Sequence, residues 1–222
     1  MLVLLRWLIR GSSIIVALTV LVVLIVWWIA GRSVPDYEAD WTVPGLSAPV
    51  EIVRNTAAVP HIFGEGDLDV YYGLGFAHAQ DRLWQMLMLR RTGQGRLSEL
   101  FGTATLDIDD LMRRLDLYGH ASRSVAALDP DTVDILEAYS DGVNAWLNLV
   151  ATEALGRGAP ELFLFAPEIA PWRPADSVVI TKIMALQLAS HHEQEVLRAR
   201  STLALEDPAR LADLMPDAPG GG

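Results

Sequence analysis

From Ser12 to Ala30 the chain reads SSIIVALTVLVVLIVWWIA without one charged position. As a helix this run is roughly 28 Å long, close to the hydrocarbon thickness of a bilayer. Arg6 and Arg10 precede it, and Trp27 and Trp28 stand near its end. The basic flank predicts a cytoplasmic N-terminus with the rest of the chain exported, and the paired indoles suit the outer interface. Residues 1–31 therefore read as a signal-anchor or transmembrane segment, with 12–30 in the membrane. A cleaved signal peptide is the competing reading. Against it, the apolar run exceeds the ~7–15 residues of such a segment, and no A-x-A pattern follows. Residues 32–49 hold Pro35, Pro44 and Pro49 and read as a linker.

The pattern then changes to that of a globular body. VEIVRN (50–55) and VPHIFGE (59–65) favour strands, with Asn55–Ala58 turning between them and Pro60 opening the second or placing it at an edge. Asp67 is read as the cap of a long helix through about Arg91. That helix is apolar nearly all round, as a buried helix is, with Tyr72, Phe76, Leu83 and Leu87 on one face and Trp84 and Met88 beside it. It still carries a polar island of His78, Gln80, Asp81, Arg82 and Gln85. LSELFG forms a short turn stopping at Gly102. Residues 105–127 read as helical with Leu111, Leu115 and Leu117 inward. Asp129-Pro130 is a strong helix start, a capping side chain followed by proline at the first position. Its helix runs through Leu136, Tyr139, Val143, Trp146 and Leu147 at spacings of three and four. A proline-rich loop covers Gly156 to Pro174, a further helix runs from there to about Leu205, and a short one covers Pro208 to Leu214. The body is thus 50–215, with a flexible tail at 216–222. The class is α+β: two short strands and many helices. Two strands alone are marginal in water, so they are expected to join strands from elsewhere.

Composition narrows the functions. The 222 residues include no cysteine, which excludes disulfides, zinc-thiolate sites and a cysteine nucleophile. The net charge is −11, and the first 34 residues are basic, leaving 14 basic against 28 acidic residues in the remainder. So acidic a body repels phosphate backbones, and no nucleic-acid partner is expected. There is no GxSxG, HExxH, P-loop or GxGxxG. His191 and His192 with Glu193 and Glu195 could be taken for a metal cluster, but adjacent helical histidines point about 100° apart, whereas metal-binding pairs are spaced i, i+4. His61 reads as a structural side chain. His78, Asp81 and Arg82 read as a buried polar network, since an arginine on an apolar helix needs a carboxylate or carbonyls. No active site is visible from these patterns.

Several blocks nevertheless resemble one family. VEIVRNTAAVPHIFGE, YYGLGFAHAQDRLWQMLMLRR and GQGRLSELFG resemble the opening of the penicillin acylase family. ILEAYSDGVNAWL and PWRPADSVVITKIMALQL resemble its later segments, and all stand in the right order over roughly residues 50–200. The resemblance implies the mostly helical α-subunit portion of an αββα N-terminal-nucleophile hydrolase. Such enzymes are made as one exported precursor that cuts itself. The β subunit begins with the nucleophile, usually serine, whose own α-amine is the base; an asparagine and backbone N–H groups form the oxyanion hole. The partner implied is a β subunit of the same precursor, and the substrate an N-acyl amide of the β-lactam or acyl-homoserine lactone type. No catalytic residue carries over to this chain, which is expected to be inactive alone. The resemblance places Ca²⁺ partly on Glu195, one oxygen donor among the six to eight that the ion takes. It places acyl-pocket lining at Ala185, Leu188 and Ala189, whose small side chains would favour a longer aliphatic or bulkier acyl group. The body is expected in the periplasm or outside the cell, anchored or released. The alternative function is a non-catalytic, membrane-anchored helical remnant that binds a partner.

Overall fold

The computed structural model describes residues 2–153, 156–189, 192–205 and 210. It divides into two compact units, residues 1–180 and 181–222.

In the first unit, α1 (Leu2–Ser33) is one continuous helix. Its apolar side chains are exposed along nearly its whole length; only near its end, at Ser33, does it pack on the body. Among the described residues it is the one helix long and apolar enough to cross a membrane, and a signal sequence meets the same description.

β1 (Glu51–Arg54) and β2 (Pro60–Phe63) pair antiparallel, with Glu51 opposite Phe63 and Val53 opposite His61. Asn55 builds the connection, its Oδ1 accepting from Ala57 N–H and Val59 N–H while Ala58 takes φ +59°. Among the described residues no third strand joins them, so each keeps an unpaired outer edge.

α2 (Asp67–Gln94) starts after Gly66, which is extended and gives no side-chain cap. Asp67 is therefore not the cap; it lies inside the first turn, where its charge meets the positive helix end. Gly95 closes the helix in the left-handed conformation (φ +62°), its N–H bonding back to the last turn. α3 (Ser98–Phe101) ends at Gly102. The stretch expected as one helix over 105–127 is two, α4 (Leu106–Arg114) and α5 (Leu117–Val125), because Asp116 adopts φ +47°. This break turns Leu111 and Leu115 outward, and Met112 is the buried residue instead.

α6 (Pro130–Glu153) begins as the sequence predicts: Asp129 Oδ1 accepts from Thr132 N–H at 2.9 Å, with Pro130 first in the helix. Its backbone meets that of α2 through two glycines. A Cβ on Gly75 would lie 2.0 Å from the Tyr139 carbonyl oxygen, and one on Gly142 would lie 1.9 Å from that of Tyr72. This approach lets Tyr72, Phe76, Ala79, Val143, Trp146, Leu149 and Trp172 close into one core. Phe76 packs edge-on to Trp146 at 5.4 Å, and Trp41 covers the same indole at 6.4 Å. A second cluster forms around Leu83, Leu87, Ala159 and Leu162.

α7 (Pro174–Leu188) opens in the first unit and ends in the second. α8 (His192–Leu205) lies in the second. The single helix expected from Pro174 to Leu205 is therefore two, with Ala189 in a turn. The helix expected at 208–214 and the tail lie outside the described residues, apart from Arg210.

Candidate functional site

The family-like blocks converge on one end of the α2–α6 pair. Trp172 is gripped by Asn144 of α6: its N–H donates to Asn144 Oδ1 at 2.6 Å, and Asn144 Nδ2 donates to its carbonyl at 3.0 Å. The next turn starts α7 with a reciprocal cap. Arg173 N–H donates to Asp176 Oδ2 at 2.9 Å, and Asp176 N–H donates to the Arg173 carbonyl at 2.8 Å, while Pro174 fills the first helical position. Asp176 is 2% exposed. It also accepts from Tyr118 Oη at 2.9 Å and lies 3.5 Å from Arg90 Nη1. Arg90 donates to the Ala170 carbonyl and stacks 5.2 Å from the Trp172 ring. Burial lowers the Arg90 pKa, opposed by Asp176, and burial followed by Asp176 raises that of Tyr118. So DRLWQMLMLRR, DGVNAW and PWRPAD meet around a buried ion pair at the start of α7.

A second polar cluster ties the segment after α1 to the body. Arg54 Nη1 donates to Asp81 at 2.8 Å, its Nη2 donates to Gln80 at 2.8 Å, and the guanidinium lies 4.0 Å over the Tyr37 ring. Tyr37 Oη donates to the same Asp81 at 3.1 Å, and burial with the nearby carboxylate raises its pKa. This corrects the expected network. Asp81 pairs with Arg54 and Tyr37 rather than Arg82, and Asp81 and Arg82 both face outward. Arg82 sits at a kink in α2 (φ −135°, ψ 23°), which turns it away from the core. His78 Nδ1 lies 3.0 Å from Tyr139 Oη; burial lowers the His78 pKa and raises that of Tyr139 to about 12, so both are neutral near pH 7. His61 Nε2 contacts only the Asn55 amide at 3.4 Å among the described groups.

The arginines that do need partners are Arg90 and Arg91, which the sequence reading passed over. Arg91 bonds Glu99 at 2.7 Å, and Arg96 takes the other oxygen at 2.6 Å, holding the Glu99 pKa at about 2. Two adjacent arginines near the end of an otherwise buried helix were the available signal.

Ala185 and Leu188 stand in the last turn of α7 and Ala189 just past it, with Ala189 N–H bonded to the Ala185 carbonyl at 2.8 Å. All three are exposed, Leu188 to 80%. Glu195 is exposed on α8. Among the described residues no three His, Asp or Glu side chains cluster as a metal site, so Glu195 fits Ca²⁺ only as a fragment of a shell completed elsewhere. His191 and the side chains of His192 and Glu193 lie outside the described residues.

The sequence model of the penicillin amidase family matches residues 49–221. The chain is 38% identical over 161 residues to the penicillin acylase 2 proenzyme of Pseudomonas sp. (strain SE83), covering 71% of this chain and 20% of that protein. It is 34% identical over 195 residues to the acyl-homoserine lactone acylase QuiP of Pseudomonas putida, covering 84% and 22%. The solved thermostable penicillin G acylase from Alcaligenes faecalis aligns with a TM-score of 0.67 at 29% identity, covering 80% of this chain and 97% of that one. The chain therefore spans about a fifth of the length of these curated relatives and nearly all of the matched solved chain.

Proposed function

Because the chain belongs to the penicillin amidase family, we propose that it is the α-subunit part of an amidohydrolase whose nucleophile lies on a β subunit of the same precursor. One observation carries this reading: the chain covers a fifth of a curated proenzyme yet 97% of a solved acylase chain. The packing supports it. The ribbon of β1 and β2 has two unpaired edges, which an αββα sandwich built mainly by the other chain would extend. Met184, Leu188, Val196, Leu197 and Leu203 are exposed in the second unit, as a face covered by another chain would be.

In this proposal the β-subunit serine attacks the amide carbonyl with its own α-amine as base, an acyl-enzyme forms, and water releases the acid. The α chain acts by position. The Arg90–Asp176 pair and the Asn144–Trp172 clasp hold the start of α7, and Ala185, Leu188 and Ala189, at and just past the end of that helix, would line the acyl pocket. The small Ala185 and Ala189 favour a longer aliphatic or bulkier acyl chain; both penicillin acylases and acyl-homoserine lactone acylases stand among the relatives. Glu195 would give one carboxylate to a structural Ca²⁺ completed by β-subunit oxygens. α1 would remain as an anchor, holding the body on the outer side of the membrane. The test is hydrolysis of long-chain N-acyl amides by the full chain, alone and with its second chain. Activity only with both is expected. No activity from either preparation would favour the non-catalytic remnant.

A further inference from the structure

Three arginines, Arg32, Arg82 and Arg157, stand at the end of α1 and on the segments next to it. Arg32 is in the last turn of α1, its guanidinium 4.9 Å from the Trp28 ring. α1 packs on the turns at Gly156–Gly158 and Pro160–Phe163, and Ser33 is 9% exposed there. The first turn presents Arg157, whose guanidinium lies 5.3 Å from the Phe163 ring. Arg82 lines the cleft between the end of α1 and these turns, together with Glu161 and with Asp81, whose charge Arg54 already meets. Directly after them comes Leu164, 80% exposed. Cation, aromatic ring and bare aliphatic side chain together are the composition of a bilayer interface.

Distance places this face at headgroup depth. Ser33 follows Trp28 by five residues, about 7.5 Å along a helix. The headgroup layer is itself about 5–7 Å deep on each side. Nor can the body drift away. Tyr37, four residues beyond Ser33, is fixed by Arg54 and Asp81, and four residues span at most about 14 Å. The stretch that reads as a linker is therefore pinned at its start.

Resting on the anchor reading of α1, we propose that the body is seated on the membrane through this face, with Arg82 and Arg157 on lipid phosphates and Leu164 among the upper acyl carbons.

The chain has no cysteine of its own, so a single introduced cysteine is spin-labelled on it before its second chain is added. The full chain, with Leu164→Cys or, as a control on α4, Leu111→Cys, is spin-labelled and then reconstituted with its second chain into phosphatidylethanolamine–phosphatidylglycerol vesicles. Flotation is read first, then collision with oxygen, which enters the bilayer, and with a nickel chelate, which stays in water. The proposal predicts flotation and a Leu164 label shifted towards oxygen relative to the Leu111 label. Flotation with equal ratios at both positions overturns the seating and leaves the anchor standing. A Leu164 label shielded from both reagents shows that protein covers it and also overturns the seating. Failure to float overturns the anchor and the seating together.

Discussion

Replacing Gly142 by alanine sets two effects of opposite sign against each other. In an isolated helix the change is stabilising by about 1 kcal/mol. In this fold the new Cβ would lie 1.9 Å from the Tyr72 carbonyl oxygen and 2.9 Å from the Phe76 nitrogen. An ordinary C···O contact is about 3.3 Å, so α2 and α6 must part by roughly 1.4 Å here. Neither atom is on a flexible side chain; both belong to helical backbone. The parting spreads to Tyr72, Phe76, Val143 and Trp146, which pack across the same crossing. Forced insertion into a packed core costs roughly 1–3 kcal/mol and sometimes more. Because backbone must move here, we expect a net loss of about 3 kcal/mol, above the helix gain. For a domain of this size that lowers Tm by roughly 6–12 °C. Gly75→Ala forces the same separation, so the double variant should lose less than the sum of the two. Circular-dichroism melts of the full chain in detergent read both quantities. A Gly142→Ala variant that melts at or above the parent temperature would refute the close crossing.

The remaining predictions concern the polar clasps. Asn144→Ala strips both partners from the Trp172 backbone and should cost about 2–3 kcal/mol in urea unfolding; no loss would deny the clasp. Arg90→Met leaves Asp176 buried without its cation and should cost about 3–5 kcal/mol, whereas Arg82→Met, at an exposed side chain with no carboxylate partner among those described, should stay within about 0.5 kcal/mol. Equal losses in the two variants would contradict this assignment. The Glu99 pKa, about 2, lies below its unfolded value. Its stabilisation is therefore present above pH ~4.5 and fades towards pH ~2, and Glu99→Gln should flatten that limb of a stability–pH profile. Glu195→Gln in the assembled enzyme should weaken Ca²⁺ binding, read by calorimetry with added Ca²⁺.

What the chain order reveals is chiefly its local chemistry. Asn55 and Asp129-Pro130 act through neighbours a few residues away, and both sites fold as their patterns predict. The misreadings arose at one local break and where distant chain decides. Leu111 and Leu115 fit an inward helical face until Asp116 breaks the helix. Arg82 was matched to Asp81 because they are adjacent, but Arg54, 27 residues earlier, takes that carboxylate. The glycines at 75 and 142 stand openly in the conspicuous blocks, yet only the crossing of α2 and α6 gives them a reason. Arg90 and Asp176, separated by about half of the body, meet only in the folded chain. The residues assigned to substrate and Ca²⁺ rest on resemblance, because in the proposed function their chemistry would be completed by atoms from another chain.

The central claim is that the β1–β2 ribbon is a piece of a larger sheet. Amide hydrogen exchange across residues 51–54 and 60–63, measured on the full chain alone and again with its second chain bound, tests it most directly. The account predicts rapid exchange in the lone chain and strong protection on assembly. Equal protection in both states would contradict it.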